Sequence, residues 1–294
     1  MGSSFDSSRL LVGRGTKTKS RWLDRKTKKT SLAMNPLMNE TGLSISDLAF
    51  SFNASDAPIL SSVNYQTQRG EKTGIVGPSG CGKSTLLKLM AGLLVPSRGE
   101  IYVGGSRVER KTLKQSRELS QKIGMSFQKG GLLDSYCVWE NIDFALRELT
   151  RFSAEQRREK ISTALEQVGL ITVQDKRLKE LSGGMLKRVS LARLFALSPP
   201  VMLLDDPTAG LDPVTAGEII QLIQKQSEQK KTILIFSTSD LSVAYRLADK
   251  ISFLWQGSLS VPQSSEEFRN SSHPAIRQFV SGEVTGPLTG DSDA

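Results

Sequence analysis

Gly77-Pro78-Ser79-Gly80-Cys81-Gly82-Lys83-Ser84-Thr85 fits the pattern G-x-x-x-x-G-K-[ST] and decides the fold of this chain. The apolar run Lys72–Val76 comes before it, at strand length. Ser84–Leu94 comes after it, with Leu86, Leu87, Leu89, Met90 and Leu93 at helical spacing. The glycines let the backbone wrap so that successive N–H groups point at phosphate oxygens. The helix N-terminus adds positive potential at the same place. Lys83 is expected to reach the β- and γ-phosphates of a bound nucleotide and Ser84 to ligate Mg²⁺. A chance glycine-rich turn would not carry all four specified residues, Gly77, Gly82, Lys83 and Ser84, between the right flanks.

Further along, Val201-Met202-Leu203-Leu204-Asp205-Asp206 is an apolar strand that ends in two acids. Carboxylates at the C-terminal edge of a buried strand sit where ligand chemistry occurs in parallel α/β sheets. Asp205 is the expected Mg²⁺ partner through water, and Asp206 is placed to orient or deprotonate an attacking water. Other strands are predicted at Ser46–Phe52, Ile59–Gln66, Ile101–Val103, Ile123–Phe127 and Thr232–Ser237, with a closing hairpin of Ile251–Leu254 and Ser258–Val261 around Gly257. Helices are predicted at Val138–Thr150, at Ser153–Gly169 behind a Ser153/Gln156 capping box, at Met185–Leu197, at Pro213–Gln229 capped by Asp212, and from Asp240 to Ala248.

The composition narrows the class. The chain has 294 residues, 38% hydrophobic and 23% charged, which suits one large α/β domain. No apolar run reaches membrane-spanning length, so a membrane role needs a partner. The single His273 excludes a histidine-rich metal site, and Cys81 and Cys137 lack metal spacing and suggest a reducing compartment. Of the net charge of +9, six come from residues 1–40, which hold nine basic and three acidic side chains. Residues 1–42 are therefore read as a disordered basic tail. A solvated extension, a transit peptide, a patch touching anionic lipid, and a start at Met34 or Met38 all remain open for it.

With these residues in view, a resemblance emerges. Leu181-Ser182-Gly183-Gly184-Met185, followed by Lys187-Arg188, resembles the signature loop of ABC ATPases. Asp205-Asp206-Pro207-Thr208-Ala209-Gly210-Leu211-Asp212 is similar to their Walker B and D-loop, Gln128 stands at the Q-loop, and Phe52 occupies the place of the aromatic that stacks on adenine. The resemblance implies an α/β P-loop NTPase cassette over 43–262. It would have an antiparallel β subdomain, a helical subdomain inserted at about 130–180, and a C-terminal tail at 263–294. It implies nucleotide contacts from the P-loop, Phe52, Ser182, Gly183, Gly184 and Asp212, Mg²⁺ held by Ser84, Gln128 and Asp205, and catalysis by Asp206, Gln128 and Ser239. Two cassettes, expected as a homodimer, would clamp ATP head to tail between one P-loop and the other signature loop. The Q-loop and the helices after it would pass the motion to an integral membrane permease.

A narrower resemblance rests on Gly124–Ser135 with Val138-Trp139-Glu140-Asn141-Ile142, on Met185 in the signature, and on His273–Val280 with Gly286-Pro287. These are similar to ATPases of Mla/Mce-type lipid transporters, which implies phospholipid or another hydrophobic cargo and an MCE-domain partner. The place implied is the cytoplasmic face of an inner membrane, or the stromal side of a plastid inner envelope. Two positions depart from the family pattern. Asp206 stands where Glu is usual, and Ser239 in Ser237-Thr238-Ser239-Asp240 stands where the switch His is usual. Slow hydrolysis with intact ATP binding is expected, since a misplaced general base costs roughly 10²–10⁴ in rate. Competing readings are a degenerate nucleotide-binding regulatory subunit and a soluble ABC protein acting on ribosomes or DNA. The single cassette without a long heptad run argues against the second, and no specific nucleic acid is expected as partner.

Overall fold

The computed structural model describes residues 42–53, 55–108, 112–128 and 131–289. Apart from Gly42, the tail predicted over 1–42 lies outside the described residues.

Alternation of buried and exposed side chains builds the first sheet. In β2 (Leu60–Thr67), Leu60, Val63, Tyr65 and Thr67 turn inward while Ser62, Asn64 and Gln66 face water. β2 pairs antiparallel with β1 (Leu43–Phe50), which pairs with β4 (Arg98–Val103) and through it with β5 (Ser106–Arg107). Asp47, at φ 47°, bulges β1, and the pairing register slips there on both sides. β1 starts earlier and ends earlier than the strand predicted at Ser46–Phe52.

The second sheet has the order β10-β9-β3-β8-β7-β6. It comprises β3 (Lys72–Val76), β6 (Ile123–Ser126), β7 (Val201–Asp205), β8 (Ile233–Thr238), β9 (Lys250–Trp255) and β10 (Ser258–Leu259). All pairs except β9–β10 are parallel. Val201–Leu204 of β7 and Ile233–Phe236 of β8 read as unbroken apolar runs because both faces are covered. Val201, Leu203, Ile233 and Ile235 join the core under α1 (Lys83–Met90). Met202, Leu204, Leu234 and Phe236 face the opposite core. That second core is shared with α3 (Val138–Leu149), α4 (Ala154–Gln167), α5 (Gly183–Leu197) and α6 (Pro213–Lys230). β3, β7 and β8 run parallel in register, so Val76, Asp205 and Thr238 end at one edge of the sheet.

Local signals set the helix ends. The Ser153/Gln156 box forms as predicted, with Gln156 N–H donating to Ser153 Oγ at 3.2 Å and Ser153 N–H donating to Gln156 Oε1 at 2.9 Å. α1 stops at Met90, short of the predicted Leu94, because Gly92 takes φ 65° and Leu93 N–H turns back to the Lys88 carbonyl at 2.8 Å. α2 (Leu113–Lys122), capped by Thr112 and Gln115, has no counterpart in the sequence reading. The stretch 263–294, read as a tail, carries α8 (Ser265–Arg269) and α9 (Pro274–Ser281) up to the last described residue, Thr289. Phe268, Ala275 and Ile276 pack there against Val76, Ile251 and Phe253, together with α7 (Leu241–Leu247). Periodicity is hard to read in helices of five and eight residues.

Candidate functional site

The loop after β3 turns under steric constraint. Gly82, the N-cap of α1, sits at φ 105°, and a Cβ there would lie 2.9 Å from Ile59 Cγ2. Ser79 and Gly80 are exposed, whereas Pro78, Cys81, Gly82, Lys83, Ser84 and Thr85 are partly buried and Gly77 is buried. Lys83 Nζ donates to the carbonyls of Gly77 at 2.7 Å and Pro78 at 2.8 Å, so the ammonium lies folded over its own loop. A phosphate would exchange those two carbonyls for its own oxygens. Burial pushes the Cys81 thiol up, and the nearby Lys83 charge partly opposes this.

Asp205 ends β7 at 6% exposure. Its Oδ1 accepts two hydroxyl hydrogen bonds, from Ser84 at 2.8 Å and from Ser237 at 2.7 Å. The strand end, the P-loop helix and β8 are therefore tied at one carboxylate oxygen. The next residue, Asp206, takes φ 48°, a left-handed conformation that Asp tolerates better than most residues. Its N–H donates to Ser237 O at 3.1 Å and Ser237 Oγ at 3.2 Å. Burial pushes the Asp206 carboxyl up, opposed mainly by the Lys187 charge and further by Lys83 and a hydrogen bond from Thr238, while Asp205 adds to the rise. Burial correspondingly pushes the Lys187 ammonium down, against the pull of Asp206 and Asp205.

The remaining predicted residues fall into two groups. Near the P-loop corner, Gln128 is exposed and held through its carbonyl, which accepts Lys187 Nζ at 2.6 Å. Its amide takes no part in the Ser84–Asp205 bonding. Ser239 is exposed just past β8, and Asp240 caps α7 by accepting Ser242 N–H at 2.7 Å. Phe52 is 63% exposed and meets Phe50 in a T-shaped contact at 5.1 Å.

The second group lines a cleft of Ser182, Gly183, Gly184, Met185, Arg188, Gly210 and Asp212. Ser182 caps α5 by accepting Met185 N–H at 3.3 Å, so the signature serine sits at a 15-residue helix N-terminus. Asp212 caps α6, accepting Val214 and Thr215 N–H at 3.0 and 3.1 Å and the Thr215 hydroxyl at 2.6 Å. The sequence reading missed Ser237, Thr238 and the role of Lys187. The signal was present in part, as two hydroxyls at the sheet edge where β8 ends beside β7.

The oxygen donors Ser84 and Asp205 suit a hard cation such as Mg²⁺, which takes one or two carboxylates and completes its shell with water and substrate phosphates. Among the described residues no three His, Cys, Asp or Glu side chains cluster into an all-protein cage. The site thus fits an ion that arrives with a nucleotide.

Known proteins agree with this geometry. The sequence family described as "ABC transporter" matches residues 60–209. The chain is 38% identical over 247 residues to "Protein TRIGALACTOSYLDIACYLGLYCEROL 3, chloroplastic" of Arabidopsis thaliana, covering 78% of this chain and 71% of that protein. It is 34% identical over 251 residues to "Intermembrane phospholipid transport system ATP-binding protein MlaF" of Haemophilus influenzae, covering 85% and 94%. Its structure matches the ATP-binding cassette MJ0796 in a dimeric post-hydrolysis state bound to ADP and Pi, at TM-score 0.70 and 29% identity, over 76% of this chain and 98% of the other. The chain belongs to the ABC transporter family and is an ATP-binding, ATP-hydrolysing subunit with the α/β cassette fold.

Proposed function

We propose that this chain drives movement of phospholipid or another lipid between membranes, as a pair of cassettes beneath an integral membrane permease that works with an MCE-domain lipid-binding protein. Two relatives support the cargo, being named for intermembrane phospholipid transport and for a trigalactosyldiacylglycerol protein of the chloroplast. The observation that carries the membrane partner is a mainly apolar groove beside the end of β6, lined by Leu93, Met125, Phe127 and Phe144 among others, with Glu148 and Arg193 also on its wall. Leu93 and Phe144 are exposed there, at 43% and 36%. An apolar groove of that kind accepts a helical segment of a partner, and it lies beside Gln128, where nucleotide state is read. No helix among the described residues is long and apolar enough to cross a membrane.

In the paired cassettes each ATP would lie between the P-loop of one copy and Ser182, Gly183 and Gly184 of the other. Lys83 would bind the terminal phosphates, Phe52 would stack on the base, and the N-terminus of α5 would face the γ-phosphate. Mg²⁺ bound at Ser84 and Asp205, with Gln128 approaching on closure, would neutralise phosphate charge. Asp206 would orient the attacking water. Hydrolysis is slow in this reading, because the Asp206 carboxylate has one methylene fewer than the Glu usual there and exposed Ser239 provides no cation. The pair works peripherally at an inner membrane, bacterial or plastid. Purification of the tagged full chain from membranes tests the partnership. A polytopic protein and an MCE-domain protein that leave with the chain, and ATP-dependent lipid transfer between vesicles, are expected. Quantitative recovery without membrane protein would refute it.

A further inference from the structure

One face of α5 is tied to the strand and loop that end at the Q-loop. Ser190 shares a buried hydrogen bond of 2.9 Å with Ser126 on β6, and Arg193 Nη1 donates to the Gly131 carbonyl at 2.8 Å. Lys187 lies one turn nearer the signature loop, and positions 187, 190 and 193 recur on one helical face. Its ammonium donates to the Gln128 carbonyl at 2.6 Å and to the Asp206 carbonyl at 3.3 Å. Those carbonyls belong to different elements, the Q-loop after β6 and the turn after β7. An apolar side chain of equal length would fill the same space without the cost of burying a charge. Charge-assisted bonds to two carbonyls are the return for it.

We propose that Lys187 is a positioning residue that staples the Q-loop to the Asp206 turn, so that movement of the signature helix shifts both together. The inference rests on the ATPase activity of this site and assigns Lys187 no contact with nucleotide. When ATP draws α5 against the opposite cassette, the staple carries the displacement to Gln128 and Asp206 in one step. Gln128 and Asp206 then move as a unit rather than independently.

The test compares Lys187→Met and Lys187→Arg in the full chain. Steady-state ATP hydrolysis gives kcat and KM, and hydrogen exchange with and without MgATP reports the segments around Gln128 and Asp206. Lys187→Met is expected to lower kcat roughly 10–100-fold, the range for loss of an outer group that holds a metal ligand in place, as Lys187 would hold Gln128. KM for ATP should stay within about twofold. It should also abolish the joint protection of the two segments on adding MgATP, and Lys187→Arg should restore both behaviours. Unchanged kcat with unchanged joint protection in Lys187→Met would overturn the proposal. So would a Lys187→Arg chain that behaves like Lys187→Met. Where wild-type turnover is too slow to measure, the ATPase reading suffers, and the exchange of the two segments decides the staple by itself.

Discussion

Ser237 and Ser252 are both buried serines on strands flanking β3, yet truncating them should have opposite consequences. Ser237, on β8 at 1% exposure, donates to Asp205 Oδ1 at 2.7 Å. Ser252, on β9 opposite Ile75 and fully buried, has a hydroxyl with no hydrogen-bond partner among the described residues. In Ser237→Ala the Asp206 N–H loses Ser237 Oγ at 3.2 Å but keeps the Ser237 carbonyl at 3.1 Å, so the backbone tie survives and the main loss is the hydrogen bond to a buried carboxylate. Such a bond contributes about 1.5–3 kcal/mol. At roughly 2–4 °C per kcal/mol for a domain of this size, Tm should fall by about 3–12 °C. Ser252→Ala removes a desolvated hydroxyl that gained nothing in return, and should be neutral or stabilising within about 1 kcal/mol. Urea unfolding of both variants, each with and without MgATP, gives the comparison. Ser237→Ala should also weaken MgATP binding roughly 10–100-fold, because Asp205 loses one of the two hydroxyls that orient it. Equal stability of the two variants within about 0.5 kcal/mol would refute the reasoning, since it would mean the Asp205–Ser237 bond contributes nothing.

Gly124→Ala should cost about 1–3 kcal/mol in urea unfolding, because the new Cβ would press on Leu194 Cδ1 and lie 2.7 Å from Pro199 Cγ in a packed seam between β6 and α5. On the acid side, three helix caps matter. The carboxyls of Glu140 and Glu267 are held low chiefly by the Cys137 and Ser264 N–H groups, and that of Asp212 chiefly by the Thr215 hydroxyl. A carboxyl lowered on folding contributes stability above its unfolded value, and that stability is lost as pH falls through the lowered one. Urea midpoints should therefore drop below the ordinary carboxylate range, and the triple change Glu140→Gln, Asp212→Asn, Glu267→Gln should flatten that drop.

The parts of this molecule that were legible in the sequence are those whose physics is local. The P-loop joins a strand to a helix as read, β3 matches its predicted span, and the Ser153 and Asp212 caps form where their side chains said they would. Val201–Leu204 could be read as buried because both its faces must be apolar under helices. What stayed hidden depends on tertiary placement. α2 has one buried residue, Leu119, and so no apolar stripe to read. α8 and α9 are too short for periodicity and owe their order to Phe253, Val76 and Ile251, which are brought to them by the sheet. In the site, Asp205 and Asp206 were evident as acids at a strand end, but Ser237 lies 32 residues from Asp205 and becomes its partner only through the β7–β8 register. Lys187 was visible as part of a motif. Its grip on the Gln128 and Asp206 carbonyls follows from how α5 packs and from nothing in its neighbours along the chain.

In the proposed function, ATP binding by the paired chains is intact while the water-activating side is weakened at Asp206 and Ser239. Measuring ATP affinity and ATP turnover together, on the purified chain with its membrane partner, tests it most directly alongside Asp206→Glu, Ser239→His and the double change. ATP binding in all four, slow turnover in the wild type, and a faster double variant are expected, within the roughly 10²–10⁴ that a well-placed general base provides. Ordinary cassette turnover in the wild type, left unchanged by both substitutions, would contradict it and make Asp206 a competent base as it stands.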